Sequence, residues 1–410
     1  MSTGVTVLGS QAQTITLNYD SSSNAALASQ LAGLITDGIR ALEIIPASDA
    51  NGRPPQVPHG KTGEYVQRNS GTTVLPDRYT AYVTTAPNAV VFGSGEANES
   101  ILSGETTNLT FFAVHGSGTV VAGGGTNRLV VAASDHGAWS LNTGNGNDVI
   151  LALGSGDDTI AAGAGRNAIS LGTGSNLVIS TGDDTITFPG AGSDTIDATG
   201  AKSDVVFGGS GDLLFLGGSG GSTIFGGGGS DTYIGGAGGS QVIHGGSAGN
   251  NFLFAGDGAA TLFGGGNGDK LFAFGSQDQT LIAGSGRETL SAAFSSGNNL
   301  LIAGSGNDSL VGGTGADTFV GGSGHDTVFA TNPGAALFEF INGEAGGTEL
   351  VQNVFAAPDV HIHLSGYGVG EAAQALAGQH AVGGAVTISL TDGTKVTFQN
   401  ISHLNSSNFT

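Results

Sequence analysis

The sequence contains no cysteine, and only one methionine and one tryptophan in 410 residues. No disulfide can brace the fold, so rigidity must come from backbone hydrogen bonds, packing or bound metal. Basic residues are scarce: 11 Lys and Arg stand against 33 Asp and Glu, a formal net charge of −22. That shortage argues against nucleic acid, whose phosphates are bound by Lys and Arg. It argues equally against attraction to anionic lipid. No apolar run approaches the roughly 20 residues of a membrane-spanning helix. Met1 to Tyr19 has neither a basic n-region nor an apolar h-region, so no Sec-type signal peptide is expected there.

Glycine, with 76 residues, is what the chain has in excess. From about Thr143 to Ala330 it recurs in the pattern G-G-x-G-x-D-x-U-x, with U apolar. Gly304–Leu310 (GSGNDSL), Gly312–Phe319 (GGTGADTF) and Gly321–Val328 (GGSGHDTV) show it most clearly. Leu, Ile, Val and Phe recur in register with the glycines, so this is not a low-complexity linker. The physical reading is a coil of short parallel strands, each entered through a tight glycine turn. The turn needs glycine for positive φ and close backbone approach. The aspartate offers a hard oxygen ligand of the kind Ca2+ takes. The U residue points inward and is buried when coils stack.

The array closely resembles the RTX (repeats-in-toxin) family of calcium-binding proteins. The resemblance implies a parallel β-roll with two nonapeptides per turn. It also implies calcium between loops two repeats apart, and type I secretion through an uncleaved C-terminal signal. It does not imply an activity, because such arrays accompany many unrelated functions. Stacked carboxylates repel one another until a cation neutralises them. This suits a chain that folds only after it meets external calcium.

The expected fold is all-β: a right-handed parallel β-roll or β-helix solenoid with a small N-terminal α/β cap and a C-terminal β-rich cap. Residues 1–87 form the cap or association segment, with strands at Val5–Leu8 and Thr14–Tyr19 and a helix over Asn24–Leu42. Leu27, Leu31, Leu34, Ile35, Ile39 and Leu42 share one face of that helix, and Ser22, Ser23 or Asn24 can cap it. Residues 88–142 read as degenerate β-helix turns without calcium, residues 143–332 as the nonapeptide roll, and residues 333–410 as the C-terminal cap and secretion region. A hairpin with Asp392-Gly393 at its tip is expected there.

The metal carboxylates read from the repeat are Asp148, Asp158, Asp184, Asp194, Asp204, Asp231, Asp308, Asp317 and Asp326. Followed along the chain, the same position falls on Leu213, Ser240, Ala260 and Lys270 in the centre. Calcium is therefore expected in two zones, Asp148–Asp204 and Asp308–Asp326, with Asp308/Asp326 and Asp184/Asp204 as the best pairs. The central phenylalanines Phe207, Phe215, Phe225, Phe252, Phe254, Phe263, Phe272 and Phe274 read as a stacked interior. An outward carbohydrate-binding stripe is the alternative.

No catalytic constellation stands out. H-E-x-x-H is absent, and serines such as Ser94 and Ser155 sit in Gly-Ser-Gly turns typical of the repeat. His361 and His363 could offer two imidazoles to zinc, but no further ligand is evident nearby. The favoured function is non-enzymatic: a secreted, calcium-stabilised structural protein that self-associates head to tail at the cell surface, as an S-layer lattice or matrix filament. The alternatives are an RTX-repeat polysaccharide lyase or epimerase, or a monomeric adhesin. Cell-surface polysaccharide is a candidate partner.

Overall fold

The computed structural model describes residues 2–332 and 335–410. Pro333, where the glycine turns are expected to stop, lies outside the described residues. The chain divides into two units, Met1–Gly211 and Asp212–Thr410. Each is a parallel β-solenoid.

In the first unit, one face of the coil stacks strands in parallel from Ile44–Ser48 through Thr62–Gln67, Tyr79–Thr84 and Glu99–Ser103 to Asp194–Asp197. The other face runs from Gly71–Val74 through Asn88–Phe92 to Val205–Phe207. The coil thus begins at Ile44, well before the glycine pattern reveals it. Thr159 pairs with Leu177, so a regular coil takes two nonapeptides. The U residues Ile150, Ile160, Ile169, Val178, Ile186, Ile196 and Val206 all point inward and are buried. Burying each is worth about 1.5–3 kcal/mol.

The N-terminal hairpin, β1 (Thr3–Leu8) against β2 (Thr14–Tyr19), leads into α1 (Ser22–Arg40). The side chain of Ser21, one residue before the expected caps, accepts the Asn24 N–H. The buried face of α1 also departs from the leucine pattern. Ala25, Ala28, Ala32, Ile35 and Ile39 are buried and Leu27 and Leu31 pack against them, whereas Leu34 and Leu42 are each 69% exposed. Small alanines let the helix lie close to its neighbours. It packs on an apolar row, Val66, Val83, Leu102 and Val121, on the outer side of the first face. Asn24 Nδ2 donates to the carbonyls of Ala122 and Thr143, and Asp20 accepts the Asn145 N–H. The segment therefore covers the flank of the coil. Gly33 is exposed in mid-helix with nothing within 4 Å of a Cβ. Gly33→Ala should raise stability by about 0.5–1 kcal/mol in chemical denaturation.

In the second unit, one face stacks Leu213–Leu216, Thr232–Ile234, Phe252–Phe254, Lys270–Gly275, Thr289–Ser295, Ser309–Val311, Ser323–Phe329 and Thr348–Gln352. Lys395–Gln399 then joins in parallel, and the expected hairpin back to Ala385–Ser389 turns antiparallel. The other face runs from Thr223–Phe225 to His361–Ser365. Ile224, Tyr233, Ile243, Leu253, Leu262, Leu271, Leu281, Leu290, Leu301 and Leu310 fill the interior.

The phenylalanines are where the interior reading fails. Only Phe215 is inside. Each of the others stands next to an inward residue, Phe252 one before Leu253 and the rest one after, and strand alternation turns them outward. Phe207, Phe225 and Phe252 are 41%, 39% and 36% exposed. They form rows along the coil axis. Phe225, His244 and Phe263 stack with centroids 5.0 and 4.4 Å apart, and Phe254 stacks on Phe272 at 4.9 Å. The strand spacing of about 4.8 Å brings the rings into contact.

Candidate calcium ladder

The repeat places its sixth residue at the corner where a glycine turn enters a strand. All nine predicted aspartates occupy such corners, and each is at most 5% exposed. They form files running coil to coil. In each file the side chain of one coil accepts the backbone N–H of the corner residue one coil earlier.

In the first unit, Asp148 Oδ1 takes the Asn127 N–H (2.6 Å), Asn167 that of Asp148 (2.9 Å), Asp184 that of Asn167 (3.0 Å) and Asp204 that of Asp184 (2.9 Å). The opposite corner repeats this: Asp158 takes the Trp139 N–H (2.7 Å), Asn176 that of Asp158, and Asp194 that of Asn176. In the second unit, Asp231 takes the Leu213 N–H, Asn251 that of Asp231, Asp269 that of Asn251, Asp308 that of Glu288 and Asp326 that of Asp308 (2.7 Å). The pairs Asp308/Asp326 and Asp184/Asp204 are thus brought together. On the second unit's other corner, Asp317 takes the Asn299 N–H. The preceding residue of the turn makes an outer file of its own: Asp157 accepts from Ser175, Asn307 from His325 and Asn147 from Arg166.

Two ladder residues were missed in following the repeat. Asp269, not Lys270, fills its corner: it lies nine residues after Ala260 and closes the turn Gly266-Asn267-Gly268-Asp269. Lys270 points outward, its Nζ 4.7 Å from the centre of the Phe252 ring. Likewise Gln241, not Ser240, stands in the file. Leu213 and Ala260 do fill corners as counted. The acids of the second unit therefore continue through the centre along one corner: Asp231, Asp269, Glu288, Asp308 and Asp326. The Gly-x-Gly-Asp spacing around Asp269 is a signal that could have found it.

The opposite corner of the second unit is built differently. Gln241 Nε2 donates to the carbonyls of Gly220 and Gly238. Gln279 Nε2 donates to those of Gly256, Gly258 and Phe274. The amides satisfy turn carbonyls without a cation.

Ladder bonds use one oxygen of each carboxylate. The second finds a donor in some cases: Ser180 for Asp184, Tyr233 for Asp231, Gly265 and Gly266 for Asp269, Gly313 for Asp317. In others it has none. Asp148 Oδ2, Asp158 Oδ2, Asp326 Oδ2 and Glu288 Oε1 are buried without a hydrogen-bond partner. Burial pushes these acids up: Asp158, Asp204 and Asp308 to about 6 and Glu288 to about 7. Neighbouring carboxylates add to the rise, Asp308 and Asp269 in the case of Glu288. Asp148, Asp184, Asp194, Asp231 and Asp326 are raised as well, burial again the leading cause.

Buried carboxylate oxygens without donors, beside turns lined with backbone carbonyls, suit a hard cation that takes oxygen ligands. Calcium supplies the positive charge that lets adjacent carboxylates stay ionised out of water. Among the described residues no three His, Cys, Asp or Glu gather at one point. A file that pairs carboxylates with backbone carbonyls does not require it.

Other sequence candidates fall elsewhere. His361 and His363 flank buried Ile362 on one strand, with His363 Nδ1 3.1 Å from the Thr410 carbonyl oxygen. The spacing G-x-S-x-G occurs at 217–221 and 245–249, but Ser219 and Ser247 are exposed in turns between solenoid strands. Neither sits on the strand-to-helix elbow of a serine hydrolase. No described helix is long and apolar enough to cross a membrane.

No curated protein and no solved structure matches the chain. The RTX calcium-binding nonapeptide repeat matches in four copies, at residues 142–178, 214–242, 245–273 and 295–328. Residues 179–211, between the first two copies, keep the same coil and ladder. This chain is thus a β-solenoid carrying RTX calcium-binding nonapeptide repeats.

Proposed function

We propose that the chain is a secreted structural protein, folded by calcium and self-associating outside the cell. The carrying observation is how the acids are used. Each of the nine predicted aspartates fixes a backbone N–H of the neighbouring coil, so these acids build the coil rather than face a substrate. The nine predicted aspartates, with Asp269 and Glu288, are the proposed calcium-bearing residues. A chain with so many buried acids is less stable where calcium is scarce and gains stability where it is abundant. That is the property an exported protein needs.

Self-association is supported by the first unit. Its strand Gly71–Val74 ends the sheet, paired among the described residues with Asn88–Phe92 alone, and Val74 is 65% exposed. An unpaired parallel edge is a template for another chain. The aromatic rows speak against a glycan stripe. His244 is stacked on both faces, by Phe225 and Phe263, which leaves no ring face there for a sugar to pack on.

Light scattering and negative-stain microscopy on purified protein, in EDTA and then in millimolar calcium, test the reading. Ordered filaments or sheets appearing with calcium are expected. A folded, calcium-bound protein that stays monomeric at high concentration would contradict self-association.

A further inference from the structure

The acid file does not stop where the nonapeptides stop. The last matched repeat ends at residue 328, yet the next coil adds one more acid in register. Thr348–Gln352 lies parallel to Ser323–Phe329, with Glu349 opposite Asp326. The connection between them is longer than the two nonapeptides of a regular coil, and its glycines do not follow the repeat. Glu349 therefore carries no sequence signature of a ligand.

Both side chains are 2% exposed. Asp326 Oδ1 is engaged by the Asp308 N–H at 2.7 Å. Its Oδ2 has no donor, and neither has Glu349 Oε1. The two carboxylates act directly on each other. Gly321 keeps the space beside them open. A Cβ there would stand 3.1 Å from Glu349 Oε1 and 2.9 Å from the Phe340 ring. Two facing carboxylates out of water, without donors for these oxygens, need either a shared proton or a cation between them. The setting favours the cation, because Asp308 adds a third negative charge one coil away and a single proton leaves the file strongly anionic.

We propose that Asp326 and Glu349 hold a calcium ion that clamps the C-terminal strands to the last coil. This rests on the calcium reading of the ladder and extends it past the repeats. Thr348–Gln352 is the strand on which Lys395–Gln399 pairs, so the ion fixes the base of the C-terminal segment.

The test uses the full chain. Native mass spectrometry counts bound calcium in the wild type, in Glu349→Gln and in Glu344→Gln, an exposed acid nearby. Hydrogen exchange follows 348–352 and 395–399, and melting is recorded in EDTA. Glu349→Gln should hold one ion fewer, exchange faster in those strands in calcium, and melt higher than wild type in chelator, where the repulsion is gone. Those opposite signs are not expected of a merely structural side chain. Glu349→Ala should lose the same single ion, and Glu344→Gln none. An unchanged count in Glu349→Gln would overturn the proposal and assign the pair to a shared proton. A wild type that binds no calcium at all would overturn the ladder reading with it.

Discussion

Removing calcium will lower the melting temperature by on the order of 10 °C or more at pH 8, and by far less at pH 5. The direction follows from the buried acids. Their folded-state pKa values lie above the unfolded range of about 4. Such a group favours folding fully below its unfolded pKa, and that contribution is lost as pH rises through the folded value. The folded values are about 6 for Asp158, Asp204 and Asp308, about 7 for Glu288 and about 8 for Glu64. Glu349 is raised too, by burial first and by Asp326 next. Without calcium, stability therefore falls as pH climbs from about 4 to 8. Each tenfold change in a group's proton affinity corresponds to about 1.4 kcal/mol, trimmed by solvent access. Over the files the sum is comparable with the 5–15 kcal/mol that holds a typical domain together. With calcium the ladder acids stay ionised, and acid weakens the protein by displacing the ion. The two melting curves should converge near pH 5. Trp139 reports on the first unit, because its backbone N–H meets Asp158 and its indole meets Asp135. A calcium dependence that grows toward acid pH would refute the account.

Gly324→Ala should cost more than 4 kcal/mol, beyond the usual range for single substitutions. The backbone there has φ +134°, and a Cβ would lie 1.5 Å from the Gly306 carbonyl oxygen. The clash is with backbone, so no rotamer relieves it. The turns of Ser305–Gly306 and Ser323–Gly324 pair directly, and separating them opens the coil beside Asp308 and Asp326. Gly368→Ala, with nothing within 4 Å and no left-handed φ, should change stability by less than about 0.5 kcal/mol. Thermal melts of both variants in calcium decide the matter. Equal losses would mean that turn stacking is not what glycine provides.

The same glycines explain what was legible in the sequence. They mark each corner, so the repeat by itself places the U residues from Ile150 to Leu310 and all nine aspartates. The reading failed where the marker was absent or slipped. Ile44–Val74 joins the coil without a glycine repeat, because apolar strands alone suffice for pairing there. Asp269 was lost because the register slipped to Lys270, although Asp269 lies nine residues after Ala260. Glu349 lies beyond the pattern. The phenylalanines were sent inward by their hydrophobicity, though Ile, Leu and Tyr already fill the U positions and leave no interior space for rings beside them. Leu34 and Leu42 misled in the same way, since close packing on the coil flank is made largely by alanines.

Diffraction from crystals grown in calcium, recorded at long wavelength for the calcium anomalous signal, tests the central claim most directly. The account predicts peaks beside Asp184/Asp204 and Asp308/Asp326, and none at the Gln241 and Gln279 corners, where amide donors already meet the turn carbonyls. Peaks confined to exposed acids such as Asp157, with the buried pairs empty, would contradict it.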